Sequence, residues 1–185
     1  LLNYLKKKSS HTVGLDNKFY KNNVNKNGHQ FFSSLNDIIK NKKKYDVILS
    51  LSELEHKFNP YLFLKELRKI LNKNGSLILR IPNYLNIYMF LLGYNFLRYD
   101  YRSSHNYYFS EKNLDLLFSK LKFKIVKKVG MNEYSFNHLL TYLKTKKRVS
   151  STEVKNFFNH KQDNHFISNI EKNMISTSLL YILSK

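Results

Sequence analysis

Glu55 and His56 stand side by side in Ser52-Glu-Leu-Glu-His56, directly after an apolar run. An imidazole, whose ordinary pKa is about 6.5, can take a proton from a hydroxyl near neutral pH. That makes the pair the candidate catalytic residues. The alternative is that Glu55 and His56 cap and orient the helix that Pro60 begins. No cysteine occurs in the 185 residues, so thiol nucleophiles, thiolate zinc sites and disulfides are excluded. The formal net charge is +19, from 32 Lys and Arg against 13 Asp and Glu. Such a charge suggests nucleic acid or an anionic surface. Yet Lys and Asn number 27 and 23, while Arg numbers 5 and Ala is absent, which is what A/T-rich codons write. The lysine clusters at 6–8, 42–44 and 144–148 are therefore read as solvated surface, and a nucleic-acid partner is not expected. Lysines gathered on one face would favour RNA; an even scatter would count against it.

The chemistry needs a scaffold, and the chain alternates strands with helices. Leu1 to Lys8 reads as a helix tail with a basic last turn. His11 to Asp16 reads as a short strand ending on an acid, residues 17–28 as a weak helix or loop, and Gln30 to Phe32 as a short strand. After a polar stretch comes Tyr45-Asp-Val-Ile-Leu-Ser-Leu51, a continuous apolar run that suits a strand buried on both faces of a parallel sheet. Pro60 opens a helix carrying Leu62, Phe63, Leu67, Ile70 and Leu71, with Asn74-Gly75 as its C-cap. Ser76 to Ile81 is a second buried strand, stopped by Pro82-Asn83, and residues 84–99 read as an aromatic-rich helix. Ser110 caps a helix over Glu111 to Leu121, Phe123 to Val129 is a strand, and Ser178 to Leu183 is the last strand. Residues 131–172 are polar and receive no element. The order predicts one α/β domain over residues 1–185 with a mainly parallel sheet. No apolar run reaches the roughly 18–20 residues of a membrane-spanning helix, and no signal peptide is visible, so the expected compartment is the cytoplasm.

Taken together, Tyr45 to His56, Asn59-Pro60, Leu67-Arg-Lys-Ile-Leu71, Asn74-Gly75-Ser-Leu-Ile-Leu79 and Ile81-Pro82-Asn83 carry a resemblance. With His105-Asn-Tyr-Tyr-Phe-Ser110 and the terminal strand, they resemble a class I S-adenosylmethionine-dependent methyltransferase. The likeness is greatest to the group that holds the ubiquinone-pathway O-methyltransferases and many small-molecule methyltransferases. It implies a Rossmann-like sheet, mainly parallel with an antiparallel last strand. The family's first strand and glycine-rich turn have no counterpart, since the glycines stand far apart at 14, 28, 75, 93 and 130. The chain thus resembles an N-terminally truncated domain in which both neighbours of the missing strand keep unpaired backbone.

The resemblance also implies roles. Asp16 falls where the family places an acid on the ribose hydroxyls of S-adenosylmethionine; its alternative is capping the next helix. Ser34 is the nearest match to the adenine-side position, where the family carries Asp, and Leu51 matches a position that touches the cofactor through backbone and apolar surface. In some relatives an E-x-x-E-H segment and a later His bind a divalent metal, which implies Glu55, His56 and His105 as ligands. Here Ser52 replaces the first acid and Glu53 lies one residue along. Carboxylate and imidazole ligands suit Mg²⁺, Mn²⁺ or Zn²⁺. Residues 84–109 fall where the family inserts a substrate lid, and residues 131–175 form a variable insertion before the last strand. Tyr84, Tyr88, Phe90, Tyr94 and Phe96 with Arg98 and Arg102 then read as a pocket for an aromatic or lipid-like acceptor. An interfacial helix touching a membrane and plain closure of the core are the alternatives. The implied reaction is methyl transfer to a small-molecule acceptor, a quinone precursor or sugar included, through a hydroxyl oxygen. A non-catalytic remnant of a methyltransferase and a basic RNA-binding or RNA-modifying protein stay open as other readings.

Overall fold

A computed structural model describes residues 2–16, 18–96, 102–145, 150 and 152–185. Helices α1 (Leu2–Lys6), α2 (Lys21–Lys26) and α3 (Leu35–Lys40) alternate with strands β1 (Val13–Leu15), β2 (Gln30–Phe32) and β3 (Tyr45–Leu51). Then come α4 (Pro60–Ile70), β4 (Leu71–Pro82), α5 (Ile87–Leu92), α6 (Glu111–Lys120) and β5 (Lys124–Met131). Helices α7 (Phe136–Thr145) and α8 (His160–Lys172) lead to β6 (Ser178–Ser184). No helix among the described residues is long and apolar enough to cross a membrane.

The strands form a parallel pair, β1-β2, and a four-stranded sheet of order β3-β4-β6-β5. β3 and β4 are parallel, and β6 runs antiparallel to both β4 and β5. Three strands therefore share one direction, and the antiparallel strand lies between two of them. Alternation along β4 buries Leu77, Leu79 and Ile81, and β6 answers with Leu179, Tyr181 and Leu183. Leu64 and Leu67 of α4 and Leu114 and Phe118 of α6 are buried in the same core, where Phe118 meets Tyr181 edge-on at 5.0 Å. Val13 and Phe32 of the two-stranded sheet pack against that cluster, so both sheets share one core.

Two expectations need correction. β3 is not buried on both faces: it pairs only with β4 among the described residues, and Val47 is 55% exposed. An apolar run records hydrophobicity and is silent about whether a strand has one neighbour or two. β1 likewise pairs only with β2 among the described residues, so β1 and β3 each keep an open edge. Asn74-Gly75 is not a helix C-cap, because α4 ends at Ile70 and Leu71 is already extended, opposite Tyr45. The register then shifts between Tyr45 and Val47. A Cβ on Gly75 would lie 3.0 Å from the carbonyl oxygens of Tyr45 and Asp46. Glycine is thus set there by close approach of backbone, not by helix termination.

Helices α3, α7 and α8 arise where no element was expected. Each start is built from short polar side chains. Ser34 accepts from Asp37 N at the head of α3, and Asn159 and Gln162 form a reciprocal capping box on α8. Buried Asp163 reaches across from α8 to accept from Phe136 N (2.7 Å) and Asn137 N (3.3 Å) at the start of α7. The Asn137 side chain in turn donates to Phe158 O and accepts from Phe157 N and Phe158 N. Asp163→Ala is expected to lower stability by about 1–2 kcal/mol, because two buried donors lose their acceptor. A chemical-denaturation midpoint indistinguishable from that of the unaltered chain would remove Asp163 from that role.

Candidate active site

β3 ends at Leu51, and the chain turns sharply at Ser52, whose φ is +55° and whose N–H donates to Arg80 O at 2.9 Å. A 3₁₀ turn, Leu54–His56, follows with Leu54 and Glu55 buried. Residues 102–108 strap this turn in place. Asn106 N and Tyr107 N donate to Glu55 O (2.8 and 3.2 Å), and Asn106 Nδ2 donates to His56 O (2.8 Å). Tyr107 donates through its hydroxyl to Phe58 O at 3.0 Å. His56 Nδ1 lies 2.8 Å from Ser104 O. A carbonyl only accepts, so Nδ1 carries the hydrogen and Nε2 keeps the lone pair.

The strap brings His105 to the turn, with the His56 and His105 rings edge-on at 4.8 Å. Ligating atoms of Glu55, His56 and His105 all lie within 4.8 Å of one another. Glu55 is 1% exposed, and neither of its carboxylate oxygens has a hydrogen-bond partner among the described residues. Burial pushes its carboxyl above the usual carboxylate range, against the opposing pull of its backbone hydrogen bond and of the His56 and Arg80 charges. A buried carboxylate left in this condition costs several kcal/mol unless a cation meets it or it takes up a proton. One carboxylate and two imidazoles fit a divalent cation in number and chemistry. Glu53 is outside the cluster: it is exposed and paired with Lys57 at 2.6 Å.

The residues expected at the cofactor stand at strand ends. Asp16 directly follows β1, is exposed, and its N–H donates to Phe32 O at 3.3 Å, which ties it to the end of β2. The helical element that follows it is a 3₁₀ turn, Lys18–Tyr20, ahead of α2. Ser34 follows β2, but its hydroxyl is engaged inside the first turn of α3, donating to Asp37 Oδ2 at 2.7 Å. Leu51 closes β3 and is 41% exposed. An exposed carboxylate and an exposed leucine beside open strand edges fit a ligand that presents ribose hydroxyls and an apolar flank.

On the lid side, Asn86 caps α5 by accepting from Tyr88 N and Met89 N. Tyr88 and Phe96 are buried and stacked at 5.8 Å, while Phe90 and Tyr94 face solvent. Arg98, expected among the pocket residues, lies outside the described residues, and Arg102 is exposed. An open cavity of about 390 Å³ lies against α5, walled by Ile87, Phe136, Phe158, Phe166, Ile170 and Ile175 together with the polar Gln162, His165, Asn169 and Asn173. Three of these residues are phenylalanines, but they come from segments whose polar sequence hid their helices.

A parallel-stranded α/β sheet with an interior antiparallel strand, and a site built on the carboxyl ends of its strands, defines a Rossmann-like methyltransferase class. The family described as "Methyltransferase domain" matches residues 1–128, which span Asp16, Ser34, Leu51, Glu55, His56 and His105. The chain belongs to this family and is a class I S-adenosylmethionine-dependent methyltransferase. Its fold is similar to that of a SAM-dependent methyltransferase from Archaeoglobus fulgidus, with TM-score 0.62, 18% identity, and coverage of 100% of this chain and 80% of that one. The plantazolicin methyltransferase BamL, solved with a triazolic desmethylPZN analog and SAH, gives TM-score 0.54 at 14% identity, covering 98% and 71%. The cyclopropane synthase MmaA2 from Mycobacterium tuberculosis gives TM-score 0.51 at 14% identity, covering 95% and 70%. No curated protein matches the sequence.

Proposed function

We propose that the protein transfers the methyl group of S-adenosylmethionine to a hydroxyl oxygen of a small-molecule acceptor, beside a divalent cation held by Glu55, His56 and His105. The observation that carries this reading is the buried, partnerless carboxylate of Glu55 next to two imidazoles. A cation bound there would stabilise the negative charge that develops on an acceptor hydroxyl as it loses its proton. The sulfonium is already an activated donor, so the protein's work is mainly alignment. Asp16 accepts from the ribose hydroxyls, Leu51 flanks the cofactor, and Ser104 O fixes the ring of His56. Residues 84–109 act as the lid. The cavity beside α5, with its apolar wall, favours an aromatic or lipid-like acceptor.

The fixed tautomer of His56 favours a second, metal-free reading in which Nε2 is the general base. Activity that survives a chelator but is lost with His56 would select it. Asp16→Ala is expected to weaken S-adenosylmethionine binding at least tenfold, about 1.4 kcal/mol, in a titration calorimeter. Unchanged affinity would remove Asp16 from the site, and absence of binding by the unaltered chain would favour the remnant reading.

A further inference from the structure

We propose that the end of the four-stranded sheet opposite the catalytic end binds the phosphate backbone of duplex nucleic acid. β3, β4 and β5 run in one direction, so the connections that enter them converge at one end, beside the end of β6. This end lies about 20 Å along β3 from Leu51 and the Glu55 turn. The connection from α3 brings exposed Lys40 and Lys42 to Lys44. The connection from α4 brings Arg68, Lys69 and Lys73, and that from α6 brings Lys120, Lys122 and Lys124. Lys185 follows β6.

Contacts knit these groups into one surface. Lys44 Nζ donates to Lys69 O, Lys185 Nζ to Leu71 O (3.2 Å), and Arg68 Nη2 to Lys122 O (3.4 Å). Within 40–46, 68–76, 119–125 and 184–185 the one acid is Asp46, which accepts from Asn72 Nδ2.

Helix dipoles and coding bias do not account for this placement. A dipole favours cations in the last turn of a helix, but Lys73, Lys124 and Lys185 sit in or after strands. Lys42 and Lys122 hold φ of +55° and +57°, left-handed backbone that glycine and asparagine enter more readily. A/T-rich codons write asparagine as easily as lysine, so bias does not select lysine at those two positions. Desolvation, then the neighbouring charges of Lys44 and Arg68, push the Lys185 ammonium below its ordinary pKa. The cations thus repel one another unless an anion neutralises them. No large exposed apolar side chain among the described residues lies in these connections, in contrast to Phe58, Phe90 and Tyr94 at the other end. The nearest exposed apolar side chains are Val47 and Val126, which are short for a wedge into a bilayer and have no ring to stack unpaired bases. Ammonium groups on flexible stems suit backbone phosphates. Because the surface faces away from Glu55, it anchors the enzyme and does not feed the reaction.

Fluorescence anisotropy with labelled duplexes of about 20 base pairs, one RNA and one DNA, tests this. Both are expected to bind within threefold of each other, since the contacts are to phosphate. Four contacts would lower affinity about 150-fold between 50 and 200 mM salt. The triple variant Lys43→Glu, Lys122→Glu, Lys185→Glu is expected to weaken binding at least tenfold, and the corresponding Gln triple at least threefold. A charge-matched control, Lys21→Glu, Lys155→Glu, Lys161→Glu, is expected to stay within threefold of the unaltered chain. Melting temperatures and S-adenosylmethionine affinity should not move in any of them. Equal weakening by the control, tighter binding to anionic phospholipid vesicles at matched phosphate concentration, or no duplex binding at 50 mM salt would overturn the proposal.

Discussion

Replacing His56 with alanine is expected to lower kcat/KM by about 10²- to 10⁴-fold, the range that one positioned proton-handling or ligating group supplies. Nδ1 is committed to Ser104 O at 2.8 Å, so Nε2 is the atom left for a cation or a proton. Affinity for S-adenosylmethionine should stay within about twofold, since in the proposed function Asp16 and Leu51 hold the cofactor and His56 serves the acceptor. The measurement is steady-state methyl transfer beside calorimetric cofactor binding. A loss in rate below tenfold, with the melting temperature preserved, would sink the role of His56 in the reaction.

Glu55→Gln addresses the cation without using activity. With Mg²⁺, Mn²⁺ or Zn²⁺ at about 100 times its dissociation constant, the unaltered protein should gain about 2.7 kcal/mol. For a chain of this length that corresponds to a rise in Tm of about 5–10 °C. In the Gln variant the rise should vanish, because a neutral amide is a poor substitute for the carboxylate. The metal-free variant should melt no lower than the metal-free parent. Burial holds the Glu55 carboxyl above its ordinary range, and the amide removes the cost of a partnerless buried charge. Metal retention should weaken as pH falls, since carboxylates and imidazoles ligate only when deprotonated. A full Tm rise in the variant would exclude Glu55 as a ligand. No rise in the parent with any of the three metals would leave the general-base reading standing.

The legible parts of the fold were those written in apolar runs. β3, the later part of β4 and β6 announce themselves as strands, and Asn59-Pro60 with Leu67 and Ile70 announces α4. The site was legible where chemistry and adjacency coincide: Glu55 and His56 share one turn. His105 stands 49 residues further on, and only the strap over residues 102–108 explains why it arrives at the same place. Helices α3, α7 and α8 were hidden because their starts are held by Ser, Asn and Asp side chains bonding to backbone, a signal weaker than apolar periodicity. The role of Gly75 was hidden because glycine marks a left-handed cap and a close approach with the same letter. The lysines were countable, but no spacing along the chain reveals that three separate connections meet beside one sheet end.

The interior position of β6 also sets a timetable for synthesis. Leu77 of β4 pairs with Leu183 and Lys128 of β5 pairs with Tyr181, so the slot between β4 and β5 has no occupant until the 178–184 segment leaves the ribosome. At about 5–20 residues per second, the roughly 100 residues that separate β4 from β6 take about 5–20 s to make. The inner edge of β4 waits for all of that interval, and from Met131 on the inner edge of β5 waits with it, beside the open edges of β1 and β3. The stretch of greatest risk for misassembly thus falls during translation, and it ends when the last strand slides between two that have been waiting for it.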